Sequence, residues 1–308
     1  MVGGGAACLR PSRRAVLTAA GMMLAAGLPV RAAGRLQAGG PQPRLAAIDW
    51  AMLETAIAIG HMPVAAAELI RYRQDVAQPE IPAGVTDLGL RGAPNFELLQ
   101  LIRPDLILSS NYYTRYEDRL AEIAPVLSLP FYIPQEAPLP NVLAALTILA
   151  DRIGDPAAGQ RALQGAEAGF DALAARATTF ADRPFCMVNI GDARHMRAFG
   201  YDSLFGNVLD RLGLQNAWAE VTQFSFLAPV PIEKLVQMPE ARLVIVGEIP
   251  AYARRSLSRS ILWQHLPAVT EDRVYFVPDG NPFGGVPSAL RFGAGLIDAL
   301  EQGPGQLS

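Results

Sequence analysis

Apolar and polar positions fall in short blocks along most of the chain, and blocks of strand length are followed by blocks with helical spacing. Arg44 to Trp50 reads as a strand, Leu53 to Gly60 as a helix and Pro63 to Ala67 as a second strand. Val85 to Leu90 alternates like a third strand, Pro94 suits a first helical turn, and Phe96, Leu98, Leu99, Leu101 and Ile102 make an apolar helical face. Pro104 ends that helix, Leu106 to Leu108 is a buried strand, and Ala121 to Pro130 adds a helix end and the strand VLSL. Strands alternating with helices predict a parallel α/β lobe over residues 43–153.

From Asp155 to Thr179 the pattern changes to one helix of about 24 residues, roughly 35 Å at 1.5 Å per residue, with Pro156 at its start. It reads as a rigid connector over residues 154–181. Beyond it Phe185 to Ile190, His195 to Phe199, Leu243 to Gly247 and Val274 to Val277 read as strands, with helices at Ser203 to Leu212 and Ser288 to Leu300. That predicts a second α/β lobe over 182–302 and a tail at 303–308. The predicted fold class is therefore α/β: two α/β lobes joined by a single long helix, with a ligand cleft between them.

The first 33 residues stand apart from this pattern. A basic region without acids, Ser12-Arg13-Arg14-Ala15-Val16-Leu17-Thr18, a 16-residue apolar run from Ala15 to Val30 and small residues at Ala32 and Ala33 read as a cleaved export signal of twin-arginine type. The run is shorter than the roughly 20 residues of a membrane span, and residues 34–42 form a flexible leader. Cleavage removes Arg10, Arg13, Arg14 and Arg31, so the formal net charge of −3 becomes −7, which does not suit nucleic acid. Cys186 alone remains of the two cysteines, so no intrachain disulfide is available, and three histidines without HxxxH, CxxC or HExxH spacing argue against a metal held by the protein.

The same sequence has no GxSxG, no GxxxxGK[ST] and no GxGxxG after a strand, which favours binding over catalysis. One polar residue stands out: Arg91 closes the apolar strand in DLGLRGAPNFELLQLIRPDLIL, at the rim where strands of an α/β sheet give way to loops. That stretch, with DARHMRAFGYDSLFGNVLDRLGLQNAW at 192–218, resembles the periplasmic ferric hydroxamate siderophore-binding proteins of ferrichrome-type ABC importers. The likeness runs from about Leu45 to Leu300. It implies a helical-backbone periplasmic binding protein with a shallow cleft, no catalytic residues, an iron(III) siderophore as ligand, and an inner-membrane ABC permease with its ATPase as partner. Iron would be held only through the siderophore, with no cofactor of the protein's own, and the mature protein would be a monomer in the periplasm.

Carried over by position, the resemblance assigns the chelate-contacting arginine to Arg91 and its tyrosine partner to Tyr113, with Trp50 and Phe283 as further cleft aromatics. Several cleft tryptophans of the family align instead with Asp75, Ser109, Ser225 and Asn281. Phe226, beside Ser225, is a candidate replacement. Arg197 takes the place of a pocket leucine, and strand alternation puts it on one face with His195 and Phe199. Arg197 would favour an anionic chelate, unless Asp75 cancels it or favours a cationic ferrioxamine. Asp118 and Glu233 match acidic positions that the family uses to dock on its permease. Binding of haem, cobalamin or a catecholate complex is the nearby alternative, and a periplasmic siderophore-processing enzyme the distant one. His195 reads as a packing residue, His61 as solvated, and Cys186 as buried and inert.

Overall fold

The computed structural model describes residues 42–222 and 229–307. The export signal, nearly all of the leader, and Ser225 and Phe226 lie outside the described residues. The first lobe runs β1 (Leu45–Ala47), α1 (Trp50–Ala58), β2 (Ala65–Ala66), α2 (Leu69–Asp75), β3 (Thr86–Asp87), α3 (Phe96–Ile102), β4 (Leu106–Ser110), a 3-10 turn at Asn111–Tyr116, α4 (Glu117–Ala121) and β5 (Val126–Leu129). Its strands are parallel in the order β3-β2-β1-β4-β5, so the chain reverses its winding between β1 and β4. All five residues of β4 are buried, as expected of a strand covered on both faces.

Two helices follow, α5 (Pro138–Arg152) and α6 (Pro156–Ala177). The second lobe then runs β6 (Phe185–Ile190), β7 (His195–Ala198), α7 (Leu204–Arg211), β8 (Val230–Pro231), β9 (Arg242–Val246), α8 (Ala251–Leu257), α9 (Ile261–Gln264), α10 (Pro267–Thr270), β10 (Val274–Val277) and α11 (Val286–Gln302). Its sheet is mixed, in the order β10-β9-β6-β7-β8, with β6, β9 and β10 parallel and β7 antiparallel to both its neighbours, β6 and β8. The long helix α6 has 22 residues. It packs beside α5, where Gly159 permits the approach: a Cβ there would lie 2.6 Å from that of Ala150.

The lobes share more than this helix. One apolar core runs from Leu45 and Trp50 through Phe170 to Phe185, Phe205 and Leu300, with the rings of Phe205 and Phe292 stacked at 4.0 Å. Glu54 of α1 adds a polar tie. Wholly buried, it accepts hydrogen bonds from the N–H of Gly285 (2.8 Å) and Ser288 (3.2 Å), the Ser288 hydroxyl (2.8 Å) and the Asn281 amide (3.2 Å), all from the second lobe.

Several element boundaries depart from the sequence expectation for local reasons. β1 stops at Ala47 because Asp49 caps α1, accepting from the N–H of Ala51 (2.7 Å) and Met52 (3.2 Å), so Trp50 opens a helix rather than ending a strand. β3 spans only two residues because Asp87 turns the chain, its carboxylate accepting from the N–H of Gly89 (2.9 Å) and Ile70 (3.2 Å). His61 is not solvated: it is buried, with Nε2 3.1 Å from Asp155, the residue that caps α6. His195 is no packing residue, since its ring is exposed and sits 3.0 Å from Asp192 while its neighbours Met196 and Ala198 face the core.

Candidate functional site

Every loop that leaves the carboxyl edge of the first sheet delivers a polar or aromatic side chain to the same rim. Asp49 follows β1, Glu68 follows β2, Arg91 follows β3, Tyr112 and Tyr113 follow β4, and Tyr132 follows β5. An open α/β sheet binds ligands at this edge, at the point where its winding reverses. Here that point lies between β1 and β4, and it is bridged by a hydrogen bond from the Ser110 hydroxyl to the Asp49 carboxylate (3.0 Å).

Arg91 is the centre of the rim. Its Nε donates to Glu68 Oε2 at 2.6 Å, and its guanidinium carbon lies 3.7 Å from the centroid of the Trp50 ring. Trp50 is itself pinned, its indole N–H donating to the Ala67 carbonyl (3.0 Å) and its ring meeting Tyr72 edge to face at 5.1 Å. A cation stacked on an immobilised indole and held through Nε loses little freedom on meeting a ligand, and its terminal nitrogens remain as a fork of donors. Glu68 holds its place with a left-handed backbone (φ 57°), its N–H donating to the Gly89 carbonyl at 2.6 Å.

Charges at the rim act on one another. Burial pushes the Asp49 carboxyl up, while hydrogen bonds from Met52 and Ser110 and the positive charge of Arg91 hold it down. Tyr113 lies close enough to the Arg91 guanidinium to feel its charge, and its phenol is pushed up to about 12, first by burial and then by the negative charge of Asp49. It stays a protonated donor at any pH near neutrality. Beside it Tyr112 is 45% exposed, with its ring 6.5 Å from Tyr132 and 6.2 Å from Phe283 of the second lobe. Tyr132 donates to the Gly284 carbonyl at 2.6 Å, so the aromatic group also joins the lobes.

The second lobe has a cavity of about 820 Å³ at the carboxyl ends of β6, β9 and β10. Asp75 from the end of α2 lines it, opposite Asn189, Gly247, Glu248, Arg254 and Asp279. Arg197 pairs across β6 and β7 with Asn189 and so shares its face of the sheet.

Of the residues the sequence singled out, Arg91, Tyr113 and Trp50 come together, and Phe283 stands in the aromatic group beside them. Phe226 lies outside the described residues. Asp118 and Glu233 are exposed, one in each lobe, and make no ion pair among the described residues. Two of the positions aligned with tryptophans do not wall the cleft: Ser109 is buried inside β4, and Asn281 is buried against Glu54. The sequence reading missed Glu68, Asp49, Tyr112 and Tyr132. Asp49, directly after a strand and before a helix, carried a legible capping signal. Among the described residues no three His, Cys, Asp or Glu side chains gather closely enough to hold a metal ion, and none of the helices is long and apolar enough to cross a membrane.

The model of the periplasmic binding protein family matches residues 45–280. The chain belongs to that family. This periplasmic binding protein is 32% identical over 257 residues to the iron(3+)-hydroxamate-binding protein FhuD of Escherichia coli K12, covering 83% of this chain and 86% of the relative. It is 26% identical over 239 residues to the achromobactin-binding periplasmic protein of Dickeya dadantii, covering 73% and 74% of the two chains. Among solved structures, the Fe3+–Desferal bound siderophore binding protein FhuD of Vibrio cholerae superposes with a TM-score of 0.77 at 26% identity, over 84% of this chain and 98% of that one.

Proposed function

We propose that this periplasmic binding protein captures an iron(III) siderophore of hydroxamate type and delivers it to an inner-membrane ABC permease powered by its ATPase. The observation that carries the reading is the Arg91 guanidinium, stacked on Trp50 and joined by the Tyr113 phenol at the switch point of the first sheet. Iron in a ferric trihydroxamate is saturated by six ligand oxygens, so the protein has no coordination to supply. It needs donors for oxygens that carry partial negative charge, and a guanidinium fork with a phenol supplies them. The 32% identity to a protein that binds iron(3+)-hydroxamate supports the same reading. Iron is thus cargo, and the protein carries no cofactor. Export follows the twin-arginine route with cleavage of the signal, and the mature protein acts as a monomer.

Titration of the mature protein with ferric hydroxamates, ferric citrate-hydroxamates and ferric catecholates, read by quenching of intrinsic fluorescence, tests the proposal. Trp50 lies directly beneath Arg91 and reports a coloured iron complex seated there. Saturable quenching is expected with hydroxamates. Quenching by catecholates alone would assign the cleft to another siderophore class. Asp118 and Glu233 provide the acidic contacts to the permease, so Asp118→Lys with Glu233→Lys is expected to stop uptake in cells while ligand titration is unchanged; persisting uptake would leave them as solvated acids.

A further inference from the structure

The first sheet does not by itself fix Arg91 relative to Tyr113. Arg91 follows β3 and Tyr113 follows β4, and in the order β3-β2-β1-β4-β5 those strands stand three places apart. At about 4.8 Å per place the strands are roughly 14 Å from one another, so the loop after β3 must reach back across the ends of β2 and β1. Only then does the guanidinium come close enough to act on the Tyr113 phenol.

Glu68 and Trp50 hold the side-chain end of Arg91 from the loops of β2 and β1. Its backbone end is held from the β4 side. The carbonyl of Gly92, the next residue, accepts from the Tyr116 hydroxyl and from Arg115 Nη2 (3.2 Å), and both donors belong to the 3-10 turn that carries Tyr113. This clamp has a foundation of its own. The Arg115 guanidinium carbon lies 4.6 Å from the centroid of the Tyr116 ring, and that ring meets Phe96, the first residue of α3, at 6.1 Å. Tyr113 and Tyr116 both pack against the apolar cluster that contains Phe96. The loop between β3 and α3 is closed by backbone bonds, from the Ala93 N–H to the Leu90 carbonyl (3.0 Å) and from the Asn95 N–H to the Leu88 carbonyl (2.8 Å). A loop so closed moves as one piece, so whatever fixes Gly92 fixes the root of the Arg91 side chain.

We propose that Tyr116 and Arg115 are positioning residues: through the Gly92 carbonyl they set Arg91 at a fixed offset from Tyr113, so that the two donors meet a ligand as one preorganised pair. The inference rests on the siderophore reading above for its ligand. Neither positioning side chain touches the chelate. An arginine held at one end only would have to be ordered when the ligand arrives, and ordering a long side chain and its loop on binding costs affinity that prior ordering saves. Two hydrogen bonds at the surface add little to global stability, so the clamp acts on binding and on the resting place of Arg91 rather than on the fold.

The test combines Tyr116→Phe, which keeps the ring against Phe96 and loses only the hydroxyl, with Arg115→Ala, and reads two signals. The first needs no ligand. The emission of each protein minus that of its Trp50→Phe counterpart isolates Trp50 among the three tryptophans, and in the paired variant it is expected to move from the wild-type spectrum toward that of Arg91→Ala, because the guanidinium leaves the indole face. The second is titration with a ferric trihydroxamate of zero net charge. The paired variant is expected to bind it about threefold to tenfold more weakly. In the Arg91→Ala background the same two substitutions are expected to change affinity by less than about twofold, since no guanidinium remains to be placed. Unchanged Trp50 emission or unchanged affinity in the paired variant would overturn the proposal. So would an equal loss with and without Arg91, which would make Tyr116 and Arg115 ligand contacts or structural residues in their own right. If the wild type binds no ferric hydroxamate, the siderophore reading falls, and the Trp50 emission alone decides whether the clamp places Arg91.

Discussion

Asp49 and Glu54 belong to the start and the middle of one helix, both are buried, and burial pushes both carboxyls up, yet they are answered from opposite sides. Asp49 draws its donors from its own lobe, the N–H groups of Ala51 and Met52 and the hydroxyl of Ser110. Glu54 draws four from the second lobe, three at the amino end of α11 and one from Asn281, and only the longer bond of the Tyr72 hydroxyl (3.4 Å) from its own. A helix start presents unpaired N–H groups and a positive dipole end, so a carboxylate seated there binds well. One carboxylate therefore tunes the rim, while the other fastens the lobes. The comparison breaks most visibly at Glu54. Glu54→Ala leaves four donors without an acceptor in a buried seam, which is expected to cost about 3 kcal/mol or more and to lower Tm by roughly 6–12 °C. Calorimetry of the unliganded protein measures it, and a change below about 2 °C would mean that water replaces the carboxylate freely.

At the rim the expected loss is in binding rather than in stability. Arg91→Ala removes charge-assisted hydrogen bonds to the chelate and should weaken ferric hydroxamate binding about tenfold to a hundredfold, with the folded state retained. Arg91→Lys should recover only part of this, because an ammonium neither stacks on Trp50 as a plane nor keeps a fork of donors beyond its bond to Glu68. The same titration checks both variants, and full recovery by lysine would reduce the role of Arg91 to that of a point charge.

The alternation of strands and helices made the two-lobe fold and the rim position of Arg91 legible, since periodicity and turn residues are local properties. The long helix α6 was legible for the same reason. The sequence reading passed over α5 although LPNVLAALTILADR has helical spacing, and with it went the shared core that α5 helps to build. The first and third strands are shorter than their apolar pattern, because Asp49 and Asp87 end them with side-chain hydrogen bonds that a pattern of apolar positions does not register. The partners of Arg91 were hidden for a different reason. Glu68 is 23 positions away and Asp49 lies in another loop, and they meet only because the strand order places β1, β2 and β3 side by side. Nor does the apolar pattern show that Ser109 and Asn281, the positions aligned with cleft tryptophans, are buried, since burial there depends on packing between distant segments.

Tyr113 sharpens the comparison at its smallest scale, because its phenol feels both Arg91 and the acids. Burial, Asp49 and Glu68 raise its pKa and Arg91 lowers it, with the balance at about 12 against an ordinary value of 10.0. An unfolded phenol ionises near pH 10 and the folded one only near 12, so the stability this group contributes is present below pH 10 and is lost between the two values. Its capacity to donate to a chelate oxygen should accordingly persist to pH 10, and ligand affinity should show no loss from this group over that range. Tyr113→Phe removes one donor and should weaken binding about threefold to tenfold, a net hydrogen bond of about 0.5–1.5 kcal/mol. Glu68→Gln takes away a negative neighbour, so the Tyr113 ionisation should move downward. The difference in near-ultraviolet absorbance between each protein and its Tyr113→Phe counterpart, followed with rising pH, isolates that single phenol among the eight tyrosines. An ionisation that stays in place when Glu68 is neutralised would show that the charge of Glu68 does not reach the phenol, and that burial and Asp49 raise it without help from Glu68.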